Sequence, residues 1–479
     1  MSHGQNLIFM LAKITHAQLQ QLWSDLKESI AGTDRDFTKE PMGRAMLLLA
    51  VPMVLEMFME SIFAIVDIFF VSRLGSDAVA TVGLTESLMT IIYAIGGGFA
   101  AATTALISRR IGEKQPEKAS VSAVQAIFTG MVISIIFAIP GFIFAHDVLR
   151  LMGGNENMVS NMSGYTSIML TANGVIMLLF IINAVFRSSG DAAISMRVLF
   201  IANLINVLLD PCFIFGLGFF PRLGVEGAAV ATTIGRGTAV IYQFYLLFAG
   251  KRRIHITLKQ LIPDWKVMWT LVKLALGGIG QSLIVTSSWI FLVRIISGFG
   301  STIVAAYTIA IRIIIFSLMP AWGLSNAAST LVGQNLGAGQ PERAARAIYM
   351  AGMLNVVFMG LISLFFIFCP QYFVAAFMHG QPVSLDAVIC LRVISYGFIF
   401  YGLGMVMVQS LNGAGDTVTP TIINFFCFWM IEIPLSWLLS SKTGFHEQGV
   451  YIAILIAESI MATTGLVIIR RGKWKTKTV

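Results

Sequence analysis

Three carboxylates fall on one stripe of a single apolar stretch. Glu56, Glu60 and Asp67 are spaced i, i+4 and i+11, which keeps them within ~40° of one another on a helix. A second stretch repeats the device. Asn203, Asn206 and Asp210 share a face, and Asn206 and Asp210 stand one turn apart. Pro211 follows and cannot donate to the carbonyl of Val207, so that oxygen is partly free. Carboxylates, an amide and a free carbonyl make a hard-oxygen set, suited to holding Na⁺ or relaying H⁺. The alternative is that these groups only bond neighbouring helices together.

Further ionisable groups lie in apolar surroundings: Glu86 in the first half, Glu432 and Glu458 in the second. Each costs at least ~2.5–3.5 kcal/mol to insert into a bilayer, so each is a functional candidate. Histidine takes no part. His146, His379 and His446 read as outer-face residues, His255 as an inner-loop residue, and His3 and His16 as tail residues. If protons drive the protein, carboxylates carry them. Arg236 and Arg312 fall within apolar stretches and could pair with the acids.

The elements that position these groups follow from composition. The chain has 479 residues, 57% hydrophobic, with only 12% charged and a mean hydropathy of +0.82. Ordinary soluble domains carry roughly 25% charge. This is an all-α polytopic membrane protein, which excludes a soluble enzyme, a DNA-binding domain and a disordered scaffold. The net charge of +8 therefore points to basic loops on one side of a bilayer, not to nucleic acid.

A span needs about 20 apolar residues. Twelve are expected, near 45–71, 79–107, 120–145, 158–186, 192–217, 226–249, 267–297, 301–331, 344–369, 384–411, 418–440 and 448–469. With the amino terminus inside, the inner segments hold 23 Lys and Arg and the outer loops hold four. That ratio puts both termini in the cytoplasm. Residues 1–44 form a mostly polar tail. The apolar patch Leu7–Ala12 is too short for a signal peptide. Leu11, Ile14, Leu19, Leu22, Trp23, Leu26 and Ile30 recur at helical spacing, which predicts either an amphipathic helix at the membrane surface or a solvated tail. Cys212, Cys369, Cys390 and Cys427 have no metal spacing. They are expected to be small core residues, with a Cys369–Cys390 bridge across an outer loop as the alternative.

An internal repeat organises the spans. LGSDAVATVGL at 74–84 is echoed by FGSTIVAAYTI at 299–309. ISRRIGEKQPEKA at 107–119 is echoed by VGQNLGAGQPERA at 332–344, and RSSGD at 187–191 by NGAGD at 412–416. Each echo lies 225 residues on. Six spans are thus followed by six related spans in the same orientation. The expected fold is two six-helix lobes related by this parallel repeat: tail 1–44, amino lobe 45–249, basic linker 250–266, carboxyl lobe 267–469 and basic tail 470–479. A substrate path between two such lobes is a transporter architecture.

Enzyme motifs are absent or explained. GAGD at 413–416 fits the GxGD of intramembrane aspartyl proteases, but it and its echo SSGD both fall in short loops. HExxH, a P-loop and a nucleophile elbow are all missing. No enzyme activity and no cofactor are expected.

These residues together resemble the multidrug and toxic compound extrusion (MATE) family, in its DinF-like branch. The resemblance covers about 40–470. It rests on VP, Glu56, VD and VSRLG across 51–75, the two QPE loops at 115–117 and 340–342, the GD loops, NVLLDPCFIFGLG at 206–218 and GVEGAAVAT at 224–232. It implies a twelve-span antiporter of the inner membrane that exports cationic, amphipathic compounds in exchange for H⁺ or Na⁺, with a monomer sufficient. It also implies a cation site at Asp67, Asn206, Asp210 and Thr232, with no metal beyond Na⁺ there. Glu56 and Asn183 match further polar positions, and Glu60, Asn203 and Glu432 remain secondary candidates. One departure stands out. The NorM-like branch has acidic residues in its seventh and tenth spans, whereas QSLIVTSSWIFLV at 281–293 and CLRVISYGFIFYG at 390–402 have none. Glu432 and Glu458 lie in different spans and are not expected to replace them. The alternative function is a flippase for lipid-linked oligosaccharide or a metabolite, which predicts a strongly basic cavity.

Overall fold

A computed structural model describes residues 16–250, 253–378 and 384–478. Leu7–Ala12, Leu11, Ile14, His3 and His379 lie outside the described residues. The described chain is helical, without strands. The twelve spans are Met42–Val71, Ser76–Gly112, Pro116–Ile143, Glu156–Ser189, Ala192–Phe215, Val225–Phe248, Trp265–Ser297, Ser301–Gly337, Pro341–Phe368, Leu385–Gly413, Val418–Lys442 and Gln448–Arg471. Among the described residues nine are long and apolar enough to cross a membrane, and the tenth qualifies as a pair bent by 53° between Ser395 and Phe398. The first and sixth, helices of 30 and 24 residues, complete the set and carry Glu56, Glu60, Asp67 and Arg236. A surface helix, His16–Ala31, precedes them. It turns Asp25 and Ser29 inward and leaves Leu22, Trp23 and Ile30 exposed, as suits a helix resting on an apolar interface.

The repeat is written into the backbone as well as the sequence. Pro116 and Pro341 open the third and ninth spans after Gln115 (φ −116°, ψ 66°) and Gln340 (φ −115°, ψ 65°). Proline suits that first helical position because its missing N–H would have no partner there. Gly75 and Gly300 precede the second and eighth spans at φ 104° and 102°, values that favour glycine.

Apolar packing differs between the two ends of the bundle. At the end that carries both termini, one cluster joins Phe37, Leu49 and Met53 to Leu324, Leu331 and Leu411, across the two halves of the repeat. The halves approach closely there: a Cβ on Gly278 would stand 2.9 Å from Cα of Gly98, and Gln334 Nε2 donates to the Ser188 carbonyl at 2.8 Å. Small residues permit such backbone contact. A second core runs through the first half, reaches Leu271 and Ala275 of the seventh span, and toward the other end is built on Val82, Met89 and Tyr165, where a separate one on Tyr307, Phe398 and Tyr451 lies within the second half. The two halves are joined at one end and distinct at the other.

Four cysteines are free, which removes the Cys369–Cys390 bridge. Asp416 of the GAGD loop accepts from the Thr419 hydroxyl at 2.8 Å and pairs with Lys477 at 3.5 Å. It organises a turn and lies against no second catalytic aspartate among its described partners.

Candidate functional site

The fifth and sixth spans set the geometry. Gly235 lets them meet: a Cβ there would stand 2.8 Å from the Ala202 oxygen and 3.3 Å from Asn206 Cβ. Thr232, nearly one turn earlier, consequently reaches Asn206. Asn206 Nδ2 donates to Asp210 Oδ1 at 3.1 Å and to Thr232 Oγ1 at 3.2 Å. All three side chains are buried. Asp67, half-buried on the first span, lies within electrostatic reach of Asp210.

The hydrogen bonding around this group is incomplete. Oδ1 of Asp67, Oδ1 of Asn206 and Oδ2 of Asp210 are buried with no hydrogen-bond partner among the described residues. Buried oxygens usually have partners, so three orphans in one group call for an explanation. Three hard acceptors, two of them on carboxyls, fit a proton or a Na⁺ ion.

Arg236, one turn from Thr232, organises the far side of the group. Its Nη2 donates to Glu60 Oε1 at 3.0 Å, and its guanidinium lies 4.7 Å from the centre of the Phe63 ring. It is in electrostatic reach of Asp67, Glu86 and Tyr93. Glu86 accepts from the Tyr93 hydroxyl at 3.3 Å, and Tyr165 faces Asp67 and Glu86. Three carboxyls (Glu60, Asp67, Glu86) are thus gathered about one guanidinium, and Asp210 joins them through Asp67. A small cavity lined by Met169, Ile176, Thr232, Thr233 and Arg236 adjoins them.

Other candidates separate from this group. Glu56 pairs with Arg187 at 2.6 Å. Glu60 is held by Arg236, so two of the three acids of the first-span stripe are ion-paired and only Asp67 is not. Asn203 donates to the Met59 carbonyl at 2.8 Å, fastening the fifth span to the first. Asn183 accepts from Gln243 at 2.6 Å. Glu432 is buried in the other half of the molecule, where it accepts from Ser288 at 3.2 Å and lies within electrostatic reach of Glu458. The sequence reading kept those two apart. A wide helical turn through Phe425–Glu432 is invisible to a plain helical count, and it changes the face that Glu432 takes on its helix. Tyr93, Tyr165 and Gln243 were not anticipated. Gln243 could have been, because it lies on the face of Thr232 and Arg236 at i+11 and i+7. No group of three or more His, Cys, Asp or Glu among the described residues could hold a metal ion.

Comparison with known proteins places the chain. The MatE family model matches residues 52–212 and again 279–438, once per half of the repeat. The chain is 26% identical to the probable multidrug resistance protein YoeA of Bacillus subtilis, over 87% of this chain and 90% of that one. It is 27% identical to the FAD transporter of Shewanella oneidensis, over 88% and 93%. Among solved structures it superposes with a TM-score of 0.86 on a multidrug resistance MATE family transporter in an outward-facing conformation, 24% identical, covering 92% of this chain and 98% of that one. A MOP superfamily transporter from Pyrococcus furiosus matches with the same score and coverage at 23% identity. The twelve helices, the two-half repeat and the double match agree, and the chain belongs to the MatE family of multi-pass membrane transporters.

Proposed function

We propose that this transporter exports cationic, amphipathic compounds across the inner membrane in exchange for H⁺ or Na⁺. Asp67, Asn206, Asp210 and Thr232 bind the coupling cation. The observation that carries this reading is the set of three partnerless buried oxygens on Asp67, Asn206 and Asp210. The multidrug resistance proteins among its relatives support the substrate class. The 23-to-4 distribution of Lys and Arg supports cytoplasmic termini.

The mechanism follows from charge. With the site empty, Asp67 on the first span and Asp210 on the fifth repel each other. A bound cation removes that repulsion. Cation binding and substrate release are thereby linked through one lobe, because a ligand shifts a conformational equilibrium only by its differential affinity for the two states. Joined packing at the end bearing the termini leaves the other, outer end for cation entry.

Efflux of a fluorescent cationic dye from proteoliposomes tests the proposal, under a pH gradient alone and a Na⁺ gradient alone. Dye movement under one gradient, lost in Asp67→Asn, is the expected result. Full movement in the variant would refute the site. The FAD transporter among its relatives favours a second reading, a metabolite exporter. FAD movement without dye movement would select it.

A further inference from the structure

We propose that Glu432 and Glu458 form a second cation site, a carboxyl pair that shares one exchangeable proton in the carboxyl-terminal half. The two side chains are 1% and 3% exposed. They stand on the eleventh and twelfth spans, which pack against each other. Glu432 lies ten residues before the end of the eleventh span at Lys442 and Glu458 ten residues after the start of the twelfth at Gln448, so on these consecutive helices they share a depth.

Their surroundings offer hydrogen bonds but no counter-charge. Ser288 on the seventh span donates to Glu432 Oε2 at 3.2 Å, and Tyr401 lies within reach of Glu458. The titratable groups facing the pair are Tyr401, Tyr307 and Cys427. The basic residues of the packed helices turn elsewhere. Arg294 and Arg312 are exposed, Lys273 lies over Trp269 and Lys442 over Trp437, and Arg392 donates to the Ile367 carbonyl. A further observation points to a ligand: Oε2 of the buried Glu458 has no hydrogen-bond partner among the described residues. Two ionised carboxylates in a dry site without a cation are strongly disfavoured, and one shared proton resolves this.

The repeat supplies an independent reason to read the pair as a site. The 225-residue offset places Glu432 opposite Val207, next to Asn206, and Glu458 opposite Thr233, next to Thr232. The pair therefore lies in the second half at the depth that the fifth- and sixth-span group occupies in the first, one residue on in each helix. The counterpart of Arg236 is Met461. Where the first half sets a guanidinium among its acids, the second half supplies an apolar side chain, and the neutralising charge must be mobile.

Infrared spectroscopy of the reconstituted full chain reads the proton directly. Carboxyl C=O intensity at neutral pH is compared between the parent and Glu432→Gln/Glu458→Gln, in the wild-type and in the Asp67→Asn/Asp210→Asn background. The second background separates this result from the fate of the first site. Expected in both is the loss of one protonated carboxyl's intensity, which in the parent disappears as pH is raised. Ser288→Ala, which keeps both carboxyls, should shift the frequency of that band by removing a hydrogen bond. Unchanged intensity in the double variant would overturn the proposal. So would loss of two carboxyls' worth that never titrates, which would mark two fixed neutral acids. Removal of the band by Na⁺ at constant pH would also overturn it, making the site a sodium site.

Discussion

Glu56 on the first span and Arg187 at the end of the fourth form an ion pair at 2.6 Å, with side chains only 2% and 10% exposed. Glu56 matched a family position and was a candidate for the cavity. Its geometry instead makes it a brace between two helices. Breaking a buried pair by removing one partner costs ~3–5 kcal/mol, because the other charge is left uncompensated. Glu56→Gln and Arg187→Gln should each lower the yield of folded protein and its melting temperature in detergent. The double variant should recover most of the loss. A Glu56→Gln protein that melts like the wild type but does not transport would instead return Glu56 to the substrate path.

Thr232 tests the proposed cation group without altering charge. Its Oγ1 is the acceptor that positions Asn206, which in turn meets Asp210. Thr232→Val keeps the shape and removes that acceptor. Loss of one neutral hydrogen bond is worth about 1 kcal/mol, so the apparent affinity for the coupling cation should fall roughly 5-fold. Maximal transport should change little. Asp210→Asn should abolish gradient-driven transport while leaving substrate binding measurable by fluorescence. Equal cation affinity in Thr232→Val and wild type would remove Thr232 from the group.

Much of this was legible in the sequence. The 225-residue echo gave the two halves, and the i, i+4 spacing of Asn206 and Asp210 gave their contact. The face argument failed where it met partners on other helices. Glu60 shares a stripe with Asp67, yet Arg236 from the sixth span claims it, and no rule of spacing within one helix reports that. Tyr93 and Tyr165 reach the acids from the second and fourth spans only through tertiary packing. The Glu432–Glu458 pair was hidden for a local reason, since the wide turn at Phe425–Glu432 breaks the regular 3.6-residue register on which such counting depends.

Asp36 supplies a pH-dependent tie near the termini. It pairs with Lys114 at 2.6 Å and accepts from Thr38. Burial raises its carboxyl, but the bonds from Lys114 and Thr38 outweigh this and bring it down to about 2. A carboxyl lowered on folding stabilises the protein above its unfolded value of about 4, and the benefit fades as pH falls toward 2. The pair is 60% and 33% exposed, so solvent screening reduces the effect to ~1 kcal/mol. Asp36→Asn should therefore melt below the wild type at pH about 7. The gap should narrow as the pH is lowered through about 3. A gap of equal size at both pH values would mean that the carboxylate charge is not what holds this segment.

The close approach of Gly98 and Gly278 predicts how the joined end can be opened. A Cβ on Gly98 would stand 2.6 Å from Ile279 Cγ1 and 2.8 Å from the Ala275 oxygen. A backbone oxygen cannot move aside without the helix, so Gly98→Val should wedge the second span from the seventh. If the halves rock as rigid lobes about this contact, the end bearing the termini separates. Spin labels on the exposed Lys118 and Glu342, one in each half at that end, report the separation. Their distance distribution should move to longer values in Gly98→Val, and labels at the opposite end should draw together. Gly97→Val, at a position with open space around its Cβ, should leave both distances unchanged. A Gly98→Val protein that melts normally with unaltered distances would show that the contact is not the fulcrum.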